Sequence, residues 1–278
     1  MVEWYLYLAA STLYAISTIL FILSFVFKKE TWIRSAISVA FLGLLLHSVS
    51  LGFRWVEAGH GPYYTMFEAL SSIAWANVAI FLVLQYRIQK IRYAGIMVMA
   101  VSLLMMGVGA TTSTEIMVIP PSLRSYWLIV HIGFAKLAFG FLLIATGLAM
   151  LYLLNENYSR NENSNLSMFY NRLPDMESMD DLMYQFVIGG FLFLSVMIAS
   201  GSIWAYQTWG RYWAWDPIET WSLISWLVYG IYLHQRRNVG WRGKKAAWLL
   251  IVGLIVLAFS LLGAGIVYKG LHSAYLVQ

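Results

Sequence analysis

Residues 201–226 read GSIWAYQTWGRYWAWDPIETWSLISW, with tryptophan at 204, 209, 213, 215, 221 and 226. Each indole offers a flat apolar face and one N–H donor. Trp209, Trp213 and Trp215, with Trp221 close behind, crowd a segment that also holds Gly210, Arg211, Asp216 and Pro217. Two readings stay open. Tryptophan gathers at membrane headgroups, and such a belt accounts for one or two at each helix end. A platform for a large planar ligand with carboxylate edges accounts for the crowding and for the cation Arg211. A porphyrin with its propionates is such a ligand.

The chain has five histidines, His47, His60, His131, His234 and His272, and no cysteine. Imidazole is a usual axial ligand of haem iron. Without cysteine there is no disulfide, no thiolate metal site and no thioether to a haem. Asp216 and Glu219 stand three apart and could be taken for an acid/base pair. Orienting the loop and capping the helix that follows suit them better, because acids at a helix N-terminus are favourable.

The elements that position these groups are set by solvent. Hydrophobic residues make up 60% of the 278 and charged ones 11%, against about 25% charged in a soluble domain. The expectation is an all-α polytopic membrane protein, a single domain over 1–278. About eight spans are expected, near 5–27, 33–53, 67–86, 93–111, 127–154, 183–204, 220–236 and 247–268, each continuous enough for a helix rather than a barrel strand. The N-terminus lacks a basic n-region and cleavage site, so the first span is expected to remain. The pI near 9.3 reflects topology rather than nucleic acid, because the basic residues sit in short loops between apolar runs. Of the 18 Lys and Arg, only Arg54, Arg124, Lys136, Arg211 and Lys269 fall on one side. The rest mark the cytoplasmic side, which puts both termini and the loop of about 205–226 outside. On the inside, Leu166, Met168, Phe169 and Leu173 form either a short interfacial helix or part of a solvated linker.

Topology sorts the histidines by depth. His131, about one turn into the fifth span, and His272, just past the eighth, reach the same outer layer as the tryptophans and suggest a bis-histidine haem site. His234 lies near the inner end of the seventh span, and His47 about 20 Å from the inner surface by helical rise. An iron shared by those two is disfavoured. His60, in the outer Gly59-His60-Gly61-Pro62 loop, could cap the outer site. Lys136 and Glu68 could pair with another group or touch a propionate, and snorkelling is the plain alternative for Lys136.

The stretch from Trp209 to Trp226, with Asp-Pro-Ile-Glu-Thr-Trp at 216–221, resembles the WWD signature of membrane haem-handling proteins. Its form resembles that of the CcsA/ResC branch of cytochrome c biogenesis proteins. Gly59-His60-Gly61-Pro62 between Trp55 and Glu68, the run from Trp241 to Ala247, and Gly270-Leu271-His272-Ser273 agree in kind and order. The resemblance implies that His131 and His272 are axial ligands of a non-covalent haem b cradled by the Trp-rich loop. It implies that His234 ligates haem within the membrane, with a CcsB/ResB-type partner supplying the opposite ligand. The implied function is the haem-binding subunit of a system II cytochrome c synthase. It would present haem to apocytochrome c across a bacterial cytoplasmic or thylakoid membrane. A quinol-linked b-type cytochrome and a haem exporter with no synthase role are the alternatives.

Overall fold

The computed structural model describes residues 1–27, 29–159 and 173–272, and their regular structure is all helical. The helices are α1 (Val2–Phe27), α2 (Glu30–Ala58), α3 (Met66–Arg87), α4 (Gly95–Gly109), α5 (Tyr126–Ser159), α6 (Met176–Trp209), α7 (Pro217–His234) and α8 (Lys244–Ala258). A 3₁₀ segment, Gln89–Ala94, runs into α4. Helix α8 continues through a π-helical turn, Phe259–Gly263, and a last turn, Ala264–Val267. The stretch expected to hold Leu166, Met168 and Phe169 lies outside the described residues.

Seven segments are long and apolar enough to cross a membrane. The expected seventh span forms as α7, but its 18 residues carry Glu219, Ser222, Ser225 and His234, and it is not among the seven. Helices α5 and α6 run to 34 residues each, longer than their apolar stretches. The early start of α6 follows from its cap: Asp175 accepts the Ser178 N–H at 2.7 Å. Asp180, in the first turns of α6, then pairs with Arg236 just past α7, and both are buried.

Helix α5 is the central element. It packs most extensively on α6 and also meets α3, α4 and α8, while α1 packs on α2. The core between them is aromatic and aliphatic, with Tyr7, Tyr14, Phe21, Phe81 and Leu142 at most 1% exposed. Arg54, expected as a loop charge, is instead 1% exposed within α2. Its Nε donates to Glu68 Oε1 at 2.9 Å, and its two terminal nitrogens donate to the carbonyls of Thr114 and Glu115 at 2.6 and 2.9 Å. That arginine ties α2, α3 and the segment after α4 together. It should not be counted among the charges that set topology.

Candidate functional site

The start of α5 lies against the last third of α6, and His131 faces that contact. Its Nδ1 is 2.8 Å from the Met197 carbonyl oxygen. A carbonyl can only accept, so Nδ1 carries the proton and Nε2 is the bare nitrogen of the neutral ring. The ring fits because α6 has glycine opposite it. A Cβ built on Gly201 would stand 2.5 Å from His131 Nδ1.

His272 reaches the same place from the tail that follows Val267. Its Nδ1 is 2.8 Å from Asp216 Oδ1, again leaving Nε2 without a described partner. The ring meets Trp209 edge-on, with centroids 4.9 Å apart, and Trp204 at a tilt, with centroids 5.7 Å apart. Asp216 is also the N-cap of α7, accepting the Ile218 N–H at 3.0 Å, and it accepts the Leu271 N–H. Burial alone would raise the Asp216 carboxyl, but the hydrogen bond from His272 and those backbone donors hold it below the ordinary carboxylate range. Gly270 makes the close pass possible, since a Cβ there would overlap the Asp216 carboxylate.

The loop before α7 is a folded turn. Trp215 has φ 57°, the one left-handed non-glycine among the described residues. This bend brings the N–H groups of Ala214 and Asp216 onto Glu219 Oε2, at 2.8 and 3.2 Å. Asp216 and Glu219 thus form a reciprocal capping box, the role expected of them over acid/base chemistry.

His131 and His272 line one cavity of about 240 Å³, with Tyr63 and Tyr64 forming a wall and Met197, Trp204, Trp213 and Ser260 among the other lining residues. Tyr64 is held by Glu68, whose Oε2 accepts its N–H at 2.9 Å and the Thr65 N–H at 3.3 Å. Glu68 is fully buried and spent on the fold; it does not line the cavity. Of the residues expected as a platform, Trp213 lines the cavity. Trp209 packs on His272 instead, and Gly210 ends α6 with φ 74°. Arg211 is exposed, Trp215 is 70% exposed, and Trp221 packs on Phe259 with centroids 4.6 Å apart.

The other histidines are elsewhere. His47 is fully buried, with Tyr14 Oη 3.3 Å from Nδ1 and Ser71 Oγ 2.9 Å from Nε2. His60 has the Gly61 carbonyl 2.8 Å from Nδ1 and the Met117 carbonyl 3.2 Å from Nε2. Both nitrogens of His47 meet hydroxyl groups. Both of His60 meet carbonyl oxygens, which can only accept, so a neutral His60 ring donates from one nitrogen and keeps a lone pair on the other. His60, Lys136 and Arg124 line a second cavity that shares Tyr63 and Ile132 with the first. His234 is exposed at the far end of α7, 2.9 Å from the Asn238 amide. Seventeen helical steps from Pro217 put it about 26 Å along the axis from the Asp216 end.

Sequence reasoning missed Gly201, the Met197 carbonyl and the Tyr63–Tyr64 wall. Gly201 opens the Trp-rich stretch, and a glycine at that place in an apolar helix was the available signal for a close approach.

Residues 63–272 match the family described as cytochrome C assembly protein. The chain belongs to that family. The match runs from Tyr63, in the cavity wall, to His272. Similar proteins include "Cytochrome c biogenesis protein CcsA" of Guillardia theta, 31% identical, covering 93% of this chain and 91% of that one. The protein of the same description from Parasynechococcus marenigrum is 34% identical, covering 84% of each. Among solved structures, "Cytochrome c Heme Lyase CcmF" superposes with a TM-score of 0.69 at 14% identity over 98% of this chain. That likeness is one of fold, and this chain corresponds to 47% of that one.

Haem iron is held by an imidazole nitrogen with a lone pair to give. Two imidazoles, each with Nδ1 fixed by an acceptor and Nε2 unclaimed, face a largely apolar cavity. A metal-ligating histidine almost always donates its other N–H to a carboxylate or carbonyl in this way. The residues fit.

Proposed function

We propose that this chain is the haem-handling membrane subunit of a cytochrome c synthase. In this reading His131 and His272 are the axial ligands of a non-covalently held haem b, presented for attachment to apocytochrome c. The observation that carries the reading is the meeting of those two imidazoles in one cavity, each with Nε2 uncommitted.

Haem, as the substrate, supplies the vinyl groups to which thiols add. With no cysteine in the chain, the thiols belong to a Cys-X-X-Cys-His segment of the apocytochrome, whose own histidine replaces one axial ligand. The chain's share is positioning. Asp216 and the Met197 carbonyl fix the two imidazoles, Trp204 and Trp209 grip one of them, and Tyr63, Tyr64 and Trp213 shape the cavity around the ligand plane. Holding vinyl and thiol together removes most of the entropy cost of a bimolecular step. The positive-inside bias puts this end on the outer side of the membrane.

His234, at the opposite end of α7, is the inner ligand in this reading, and a CcsB/ResB-type membrane protein supplies its counterpart. Rotating the Asn238 amide by 180° would let Oδ1 accept the His234 Nδ1–H and free Nε2 for iron. A quinol-linked b-type cytochrome needs a second complete pair within the chain. The engagement of both nitrogens of His47 speaks against it.

The test is a reduced-minus-oxidised spectrum of the protein purified with its partner, beside His131→Ala and His272→Ala. A low-spin b-type signal that falls or turns high-spin in both variants supports the site; an unchanged signal in both overturns it. Deleting the gene and assaying cytochromes separates the classes, since only a synthase subunit costs the cell its c-type and spares its b-type cytochromes.

A further inference from the structure

The second cavity has a composition that the first lacks. It holds about 750 Å³, whereas the histidine cavity, at about 240 Å³, falls below the roughly 300–1,000 Å³ of ordinary ligand sites. The two adjoin at Tyr63 and Ile132. The larger is lined by Lys136 of α5 and by Arg124 just before it, with Trp55 and Tyr126 as aromatic walls and no carboxylate among its described lining residues. No described residue pairs with the Lys136 ammonium. A partly buried cation inside an apolar helix is costly unless an anion answers it.

We infer that the two cavities are one bipartite site, in which Lys136 and Arg124 receive the carboxylate edge of the porphyrin whose iron lies between His131 and His272. This rests on the reading above and adds to it the element that selects the ligand. Ligation by two imidazoles recognises iron, and the basic cavity recognises the acid groups. Tyr63, shared by both walls, stands where the macrocycle would pass. A membrane lipid phosphate offers the same anionic chemistry to the same residues, so the experiment has to separate the two sources.

The full chain, with its partner in nanodiscs of neutral lipid, would be titrated with haem and with haem dimethyl ester. The wild type is expected to bind the diacid at least about tenfold more tightly, the scale of one charge-assisted hydrogen bond. Lys136→Met and Arg124→Gln are expected to shrink that ratio toward one while the low-spin spectrum persists. Equal affinity of the wild type for diacid and diester overturns the inference without recourse to any variant. Native mass spectrometry after exchange into phosphatidylglycerol supplies the lipid arm. If Lys136→Met loses bound phosphatidylglycerol and keeps the wild-type haem ratio, the anion is a lipid phosphate and the inference fails. Loss of the low-spin signal in His131→Ala alongside an unchanged Lys136→Met ratio removes this inference alone. An unchanged signal in His131→Ala and His272→Ala removes the underlying reading as well.

Discussion

Nδ1 of His272 lies 2.8 Å from Oδ1 of Asp216, so a proposed iron ligand and the cap of α7 depend on one carboxylate. Asparagine caps a helix about as well as aspartate but carries no charge to strengthen the imidazole. Asp216→Asn is therefore expected to melt within about 1 kcal/mol of the wild type. Its haem affinity is expected to fall by about 10- to 100-fold, the usual cost of losing a carboxylate behind a metal-bound histidine. Haem titration beside thermal melts measures both, and wild-type affinity in Asp216→Asn would rule the carboxylate out as a positioning group.

Gly201→Ala adds one methyl group 2.5 Å from His131 Nδ1. Alanine is the better helix former by about 1 kcal/mol, while overpacking a filled contact costs about 1–3 kcal/mol. The net change in stability should be small and the change in the site large. The expected result is a spectrum like that of His131→Ala in a protein that still purifies as one species. A wild-type spectrum would mean that α6 can draw back without cost.

Arg54→Met leaves Glu68, fully buried, without its ion-pair partner. Removing one member of a buried pair costs about 3–5 kcal/mol, which unfolding in mixed detergent micelles can measure. Amide hydrogen exchange should rise in residues 112–118, whose carbonyls at Thr114 and Glu115 lose their donor. The double variant Arg54→Met/Glu68→Gln is expected to regain part of the stability, since the buried carboxylate is gone while an acceptor for the Tyr64 and Thr65 N–H groups stays. Glu3, 3.7 Å from Arg54, still loses its partner. An equal loss in the double variant would show that the pair is favourable in itself.

Trp215→Gly separates a backbone from a ring. The left-handed φ of 57° costs a non-glycine residue about 1–2 kcal/mol, so glycine should hold or raise the melting temperature. The ring is 70% exposed and fills no core. If it serves as a contact for haem or apocytochrome, attachment of haem in a reconstituted assay will fall while stability does not. Unchanged attachment would leave Trp215 with only its turn to explain.

The helices were legible because twenty-residue apolar runs leave lipid little choice, and the capping box from Asp216 to Glu219 was legible because its chemistry is local. Pairing His131 with His272 required only depth. What the residues alone did not reveal lies across long gaps in sequence. Nothing near Arg54 announces that it will be buried on Glu68, and nothing in the tryptophan count says that Trp209 grips an imidazole instead of lying flat under a ligand. Gly201 and Gly270 mark close approaches, but a glycine does not name what approaches it.

The two imidazoles are also held by different means. His131 stands in the second turn of α5, wedged under Gly201 and bonded to the Met197 carbonyl of α6. His272 hangs from a tail with no helical support, latched by one carboxylate and two indoles. A plane clasped between them has one face on an anvil and the other under a latch. Under the proposed reading, ligand exchange would fall on the latch side, and the chain itself would fix which face is uncovered. The handedness of whatever is joined there would then be decided before the joining begins.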